Sequence, residues 1–267
     1  MRPRGLGRWL LPLFGAAAFL YLLVPIAYIF IFSFNDAGRT NLSWRGFTME
    51  NWLNPCGAPQ VCQAFGNSLQ VGVAATVGAT VLGTLMALAL ERYRTRFTGS
   101  MNLLVFLPLA TPEVVLGASL LAQFLNVGVE LGMTTTILSH IMFCMSLVVV
   151  TIRARIASLD PRLEEAAADL YASGPMTFWK VTFPLLVPGI VAAALLSFAM
   201  SFDDFIVANF NSGPFTTFPQ FIYVAAQRGI PAEANVIGSA MFILAIGLVL
   251  GSQLWRYWRR RRVGVLR

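Results

Sequence analysis

Apolar residues in this chain gather into six long runs, at about 9–34, 67–90, 101–125, 133–152, 187–206 and 236–257, and polar residues concentrate in the segments between them. A helix rises about 1.5 Å per residue, so roughly 20 apolar residues carry it across the hydrocarbon layer of a bilayer. The pattern predicts an all-α membrane protein with six transmembrane helices.

Composition strengthens this reading. Hydrophobic residues make up 57% of the 267-residue chain and charged residues 12%, against about 25% charged in soluble domains, and the mean hydropathy is +0.70. The net charge of +7 does not point to a nucleic acid, because the cations sit in short connecting segments rather than on one polar face. Met1–Arg8, Glu91–Ser100, Arg153–Leu186 and Arg256–Arg267 hold 16 of the 19 Lys and Arg residues, and the other segments only Arg39, Arg45 and Arg228. The positive-inside rule then places both termini in the cytoplasm. The first run is longer than a signal-peptide core and reads as a retained flanking helix, while Arg259–Arg262 reads as an anchor to an anionic inner leaflet of membrane lipid. No linker or repeat divides the chain, so one domain over 1–267 is expected: a flanking helix at 9–34, core helices over 67–257 and a cytoplasmic loop at 153–186.

That loop carries helical signals of its own. Asp160 suits an N-cap, Pro161 the first turn, and Glu164 and Glu165 the positive end of the helix dipole. Ser173-Gly174-Pro175 reads as a stop, giving a helix of about 12 residues. Leu163, Ala166, Ala167 and Leu170 form one apolar stripe, which fits docking on a protein or resting on lipid.

Ionisable residues inside spans are costly and mark function. Glu113 falls about 12 residues into the third run, roughly 18 Å deep if that helix is straight. Pro108 and Pro112 precede it and can free carbonyls to line a polar path; a protonated Glu113 paired with another helix is the alternative. Asp203 and Asp204 end the fifth run near the external interface, as an anionic spot or as ordinary solvated acids. His140 reads as a packing residue. Gly72, Gly78 and Gly83 suit close helix approach, and Gly247 to Gly251 is a weak small-residue match. Cys56, Cys62 and Cys144 have no zinc spacing, so no metal is expected, but a Cys56–Cys62 disulfide is open if its loop faces an oxidising compartment. The chain has neither a phosphate-binding loop of the G-x-x-x-x-G-K-[ST] type nor an H-E-x-x-H pair, and a Ser and His pair cannot be set in register from sequence, so an intramembrane enzyme is disfavoured.

Two groups of residues carry a resemblance. Glu165-Ala166-Ala167, with Phe183-Pro184 and Pro188-Gly189-Ile190 downstream, resembles the loop signature of permease subunits of type I ATP-binding-cassette (ABC) importers, with the MetI-like fold, over about residues 65–257. The resemblance implies that the loop docks on a separate ATPase, which binds ATP and Mg, so this chain holds no cofactor. Glu164, Glu165, Ala166, Ala167, Asp169, Tyr171 and Gly174 are then the coupling residues. The family pattern has Gly where this chain has Tyr171, and commonly Leu-Pro where it has Phe183-Pro184. Ser201-Phe202-Asp203-Asp204-Phe205, Asn211-Ser212-Gly213-Pro214, Ile222-Tyr223, Gly229-Ile230-Pro231 and Thr111-Pro112-Glu113 are similar to the second permease subunit of spermidine/putrescine importers.

That subgroup implies a bacterial inner membrane, a homologous permease partner in a heterodimer, two ATPase subunits and an extracytoplasmic polyamine-binding protein. Glu113, Asp203 and Asp204 are then candidate stations of the substrate pathway, with Phe202, Phe205, Phe210 and Tyr223 as candidate aromatics. The chemistry agrees, since a polyamine needs carboxylates and aromatic faces to replace its lost hydration. A permease for ferric ion or thiosulfate is the alternative, and an autonomous channel or secondary transporter the more distant one.

Overall fold

The computed structural model describes residues 7–38, 41–93, 96 and 98–264, with side chains from 11 to 258. In chain order the helices are α1 (Gly7–Phe32), α2 (Glu50–Leu53), α3 (Pro59–Arg92), α4 (Thr98–Ala110), α5 (Glu113–Asn126), α6 (Met133–Ala157), α7 (Arg162–Asp169) and α8 (Gly174–Thr177). A π-turn (Phe178–Thr182) then leads into α9 (Phe183–Asp203), α10 (Ile206–Asn211), α11 (Phe218–Arg228) and α12 (Ala232–Gly264). Most of Met1–Arg8, Arg39, and the side chains of Arg259–Arg262 lie outside the described residues.

Five stretches are individually long and apolar enough to cross a membrane: Leu11–Phe32, Pro59–Arg92, Met133–Ala157, Gly174–Asp203 and Ala232–Trp258. The expected third span is not a straight helix, because α4 and α5 meet at a bend of 109°. Pro112 causes the break. It has no N–H to continue the ladder and disfavours helical geometry in the residue before it, and its own ψ of 134° leaves the helix. Thr111 closes α4 by donating its hydroxyl to the Leu107 carbonyl at 2.7 Å. The pair counts as a sixth span only if the two arms are taken together.

The fifth span is also longer than its apolar core. Ser173, extended at ψ 156°, starts a helix whose first turn contains Pro175, so Ser173-Gly174-Pro175 is a start and not a stop. Pro184 cannot donate a ladder bond and crowds the carbonyl four residues back. The chain accommodates it just upstream with the π-turn, where Phe183 N–H donates to the Phe178 carbonyl.

The chain divides into two compact units, Met1–Gln63 with Ile222–Arg267, and Ala64–Phe221. In the first, α1 packs on α12, and a cap follows α1. Buried Asn35 donates to Asn41 Oδ1 at 2.6 Å and to the Ser43 carbonyl at 2.8 Å, while accepting from Arg45 N–H at 2.8 Å. Phe34 stacks between Phe47 and Trp52. Cys56 and Cys62 form a disulfide with Cα atoms 5.4 Å apart. Gly247 and Gly251 meet nothing within 4 Å, so this small-residue pair packs no helix of the described chain.

The second unit is built on α6, which packs along α9 and also meets α4, α5 and α10. Val148, Val149, Ile152, Cys144 and Ala193 are fully buried in its core. On α3, a Cβ at Gly78 would come within 2.6 Å of Ile141, and one at Gly83 within 2.8 Å of Val148. These glycines let α3 and α6 approach closely, as two spans must where small residues replace an apolar driving force.

Candidate functional site

One end of the second unit holds the junction of α9 and α10. Asp204 ends α9 and caps α10, its two oxygens accepting from the N–H groups of Val207 at 3.4 Å and Ala208 at 2.8 Å. It faces His140 of α6, whose Nε2 lies 3.3 Å from Asp204 Oδ2, with both side chains almost fully buried. His140 Nδ1 and Ser201 Oγ are 2.7 Å apart. The fold thus unites Ser201, His140 and Asp204, a grouping of nucleophile, base and acid that spacing alone did not reveal. Ser201 is only 3% exposed, and Asp204 is committed to the N-terminus of α10, so the cluster clamps α6 to the α9–α10 junction.

Asp203 and Asp204 therefore part company. Of the two, Asp203 is exposed, whereas the Asp204 side chain is almost fully buried and engaged by the α10 N–H groups and His140. The aromatic candidates are packed rather than free-standing. Phe202 stacks on Phe198 and meets Phe65 edge-on, Phe210 seats on Gly117, where a Cβ would lie 2.8 Å from its ring, and Phe205 is half-buried. Tyr223, on α11, is exposed and belongs to the other unit. Glu113 is exposed at the first turn of α5, where the positive end of the helix dipole favours a carboxylate. The 18 Å depth assumed an unbroken helix and does not survive the bend.

The opposite ends of α6 and α9 carry the loop. Arg155 of α6 donates to the Leu185 carbonyl from Nε at 3.0 Å and Nη2 at 2.8 Å, and Gly189 has no Cβ to obstruct the Arg155 stem, which would lie 2.6 Å away. Because α6 runs on to Ala157 and the next span starts at Gly174, the loop is shorter than 153–186. Its helix α7 has 8 residues rather than about 12. Asp160 Oδ1 accepts from Arg162 N–H at 3.0 Å, satisfying one free donor at its start. The chain then reverses at Tyr171, whose φ of 59° is in the left-handed region.

The expected apolar stripe splits. Leu163 lines a cavity of about 370 Å³ under α7 and Ala167 is half-buried, whereas Glu165, Ala166, Asp169 and Gly174 are exposed. Leu170 and Tyr171 are 82% and 98% exposed. Glu164, its side chain about half exposed, accepts from Thr182 Oγ1 at 2.5 Å and pairs with Arg92 at 3.2 Å.

Comparison with known proteins decides what this arrangement belongs to. The family described as binding-protein-dependent transport system inner membrane component matches residues 79–265. This chain belongs to that family of ABC importer permeases. The permease is 35% identical over 250 residues to the spermidine/putrescine transport system permease protein PotC of Escherichia coli K12, covering 93% of this chain and 94% of the relative. It is 33% identical over 240 residues to the putrescine transport system permease protein PotI of the same strain, covering 86% and 84%. Among solved structures it superposes on a bacterial ABC transporter involved in the import of alginate with a TM-score of 0.67, at 15% identity, covering 97% and 99% of the two chains. It superposes on the MetNI methionine ABC transporter with a TM-score of 0.57, at 16% identity, covering 78% and 97%. Those structures share the fold. The permease is accordingly a multi-pass inner-membrane protein, and its relatives are transport subunits.

Proposed function

We propose that this permease forms half of an import pathway for linear polyamines, spermidine and putrescine, paired in a heterodimer with a homologous permease. Both termini and the α7 loop face the cytoplasm, and a binding protein delivers substrate on the other side. Two ATPase subunits, which bind ATP and Mg, meet the loop at Glu165, Ala166 and Asp169, with Leu170 and Tyr171 offering apolar contact. The observation that carries the substrate class is similarity to polyamine permeases along nearly the whole chain. The exposed carboxylates of Asp203 and Glu113 support it, since a flexible chain of ammonium groups needs successive acidic stations as it loses water. Asp203 receives the cation first and Glu113 next.

The test is ATP-driven uptake of radiolabelled spermidine and putrescine into vesicles holding the permease with its neighbouring permease, ATPase and binding protein. Saturable uptake, competed by unlabelled polyamine and lost with Glu165→Lys, is expected. Uptake of ferric ion or thiosulfate with indifference to polyamines would overturn the substrate class, and uptake without ATPase would overturn the coupled mechanism.

A further inference from the structure

We infer that Glu164 is an internal latch that carries the motion of α7 into two spans at once, and does not contact the ATPase; this rests on the reading of α7 as the coupling helix. A cavity of about 370 Å³ separates part of α7 from the helix ends, walled by Leu88, Ile156, Leu163, Val181 and Leu185. Among the described residues α7 buries no side chain of its own, and a polar connection ties it to the helix ends. One carboxylate oxygen makes it: Glu164 Oε1 accepts from Arg92 Nη2 at 3.2 Å, at the end of α3, and from Thr182 Oγ1 at 2.5 Å, in the π-turn at the root of α9. The Arg92 guanidinium also lies over the Phe178 ring, 5.8 Å from its centre, joining α3 to the same turn.

Glu164, Glu165 and Asp169 are all exposed, but among the described residues Glu164 alone of the three has partners on other helices, Arg92 and Thr182, with its side chain about half covered. Thr182 is 7% exposed, and a buried hydroxyl that donates to a carboxylate gives a stronger hydrogen bond than a neutral pair. The Arg92 pair is about half exposed and contributes less. The backbone alone is a poor transmitter here, because it reverses at Tyr171 between α7 and the span that follows. Pulling α7 through Glu164 draws on α3 and α9 directly.

The experiment reads uptake and ATP hydrolysis together in the reconstituted complex. Glu164→Ala should leave ATPase binding and hydrolysis near wild type and lower polyamine taken up per ATP about tenfold, the scale set by one charge-assisted hydrogen bond with a half-exposed ion pair. Thr182→Val should give a smaller loss that does not add to that of Glu164→Ala. The charge exchange of Arg92→Glu with Glu164→Arg should recover part of the ratio, which a variant that merely failed to fold would not do. An unchanged ratio in Glu164→Ala, or loss of ATPase binding in it, would each overturn the latch. If Glu165→Lys still couples normally, the docking reading of α7 fails separately, whatever Glu164 does.

Discussion

A residue with a Cβ in the left-handed region loses roughly 1–2 kcal/mol relative to glycine, and Tyr171 carries that strain at an almost fully exposed position. Tyr171→Gly should therefore slow hydrogen exchange of the amides around the α7 turn, reflecting about 1 kcal/mol of added local stability. At the other end, Asp204→Asn should lower the midpoint of thermal unfolding in detergent, with a loss of about 2–3 kcal/mol, because His140 and the α10 N–H groups lose a charged partner. Asp203→Asn should leave that midpoint in place and reduce uptake. Sequence alone could not separate the two acids. They are adjacent, and what divides them is His140, brought from α6 by helix packing that local spacing does not encode.

Among elements, α3 depends on glycines that no side chain can replace. Gly83→Leu would drive its side chain into Val148 and should cost about 3 kcal/mol or prevent folding, whereas Gly247→Leu, in open space, should leave the stability of the isolated chain unchanged; thermal unfolding in detergent compares them. The apolar runs made all the long helices legible, and Asp160 and Pro161 marked the start of α7. The end of α7 and the true start of the fifth span were missed for one reason. Ser173-Gly174-Pro175 serves equally to end a helix or to begin one, and the π-turn behind it inserts a residue that breaks the 3.6-residue periodicity up to Pro184. The bend between α4 and α5 was half legible, since Pro112 announced a disruption but not a change of direction.

For the whole molecule, the Cys56–Cys62 disulfide is an orientation marker, because such bonds persist in oxidising compartments. After mild reduction of intact inner-membrane-exposed cells, a membrane-impermeant maleimide should label Cys56 and Cys62 from outside; absence of label with full reactivity in lysed cells would reverse the topology. The bend of 109° at Thr111–Pro112 has a consequence of its own. If the two arms cross the bilayer together, the chain makes an even number of passages and its ends share a compartment. If they dip in and return, the number is odd and the arginine-rich end emerges outside, against the preference that holds basic segments in the cytoplasm. A reporter fused at each end reads this parity directly, so one proline sets the address of everything after it.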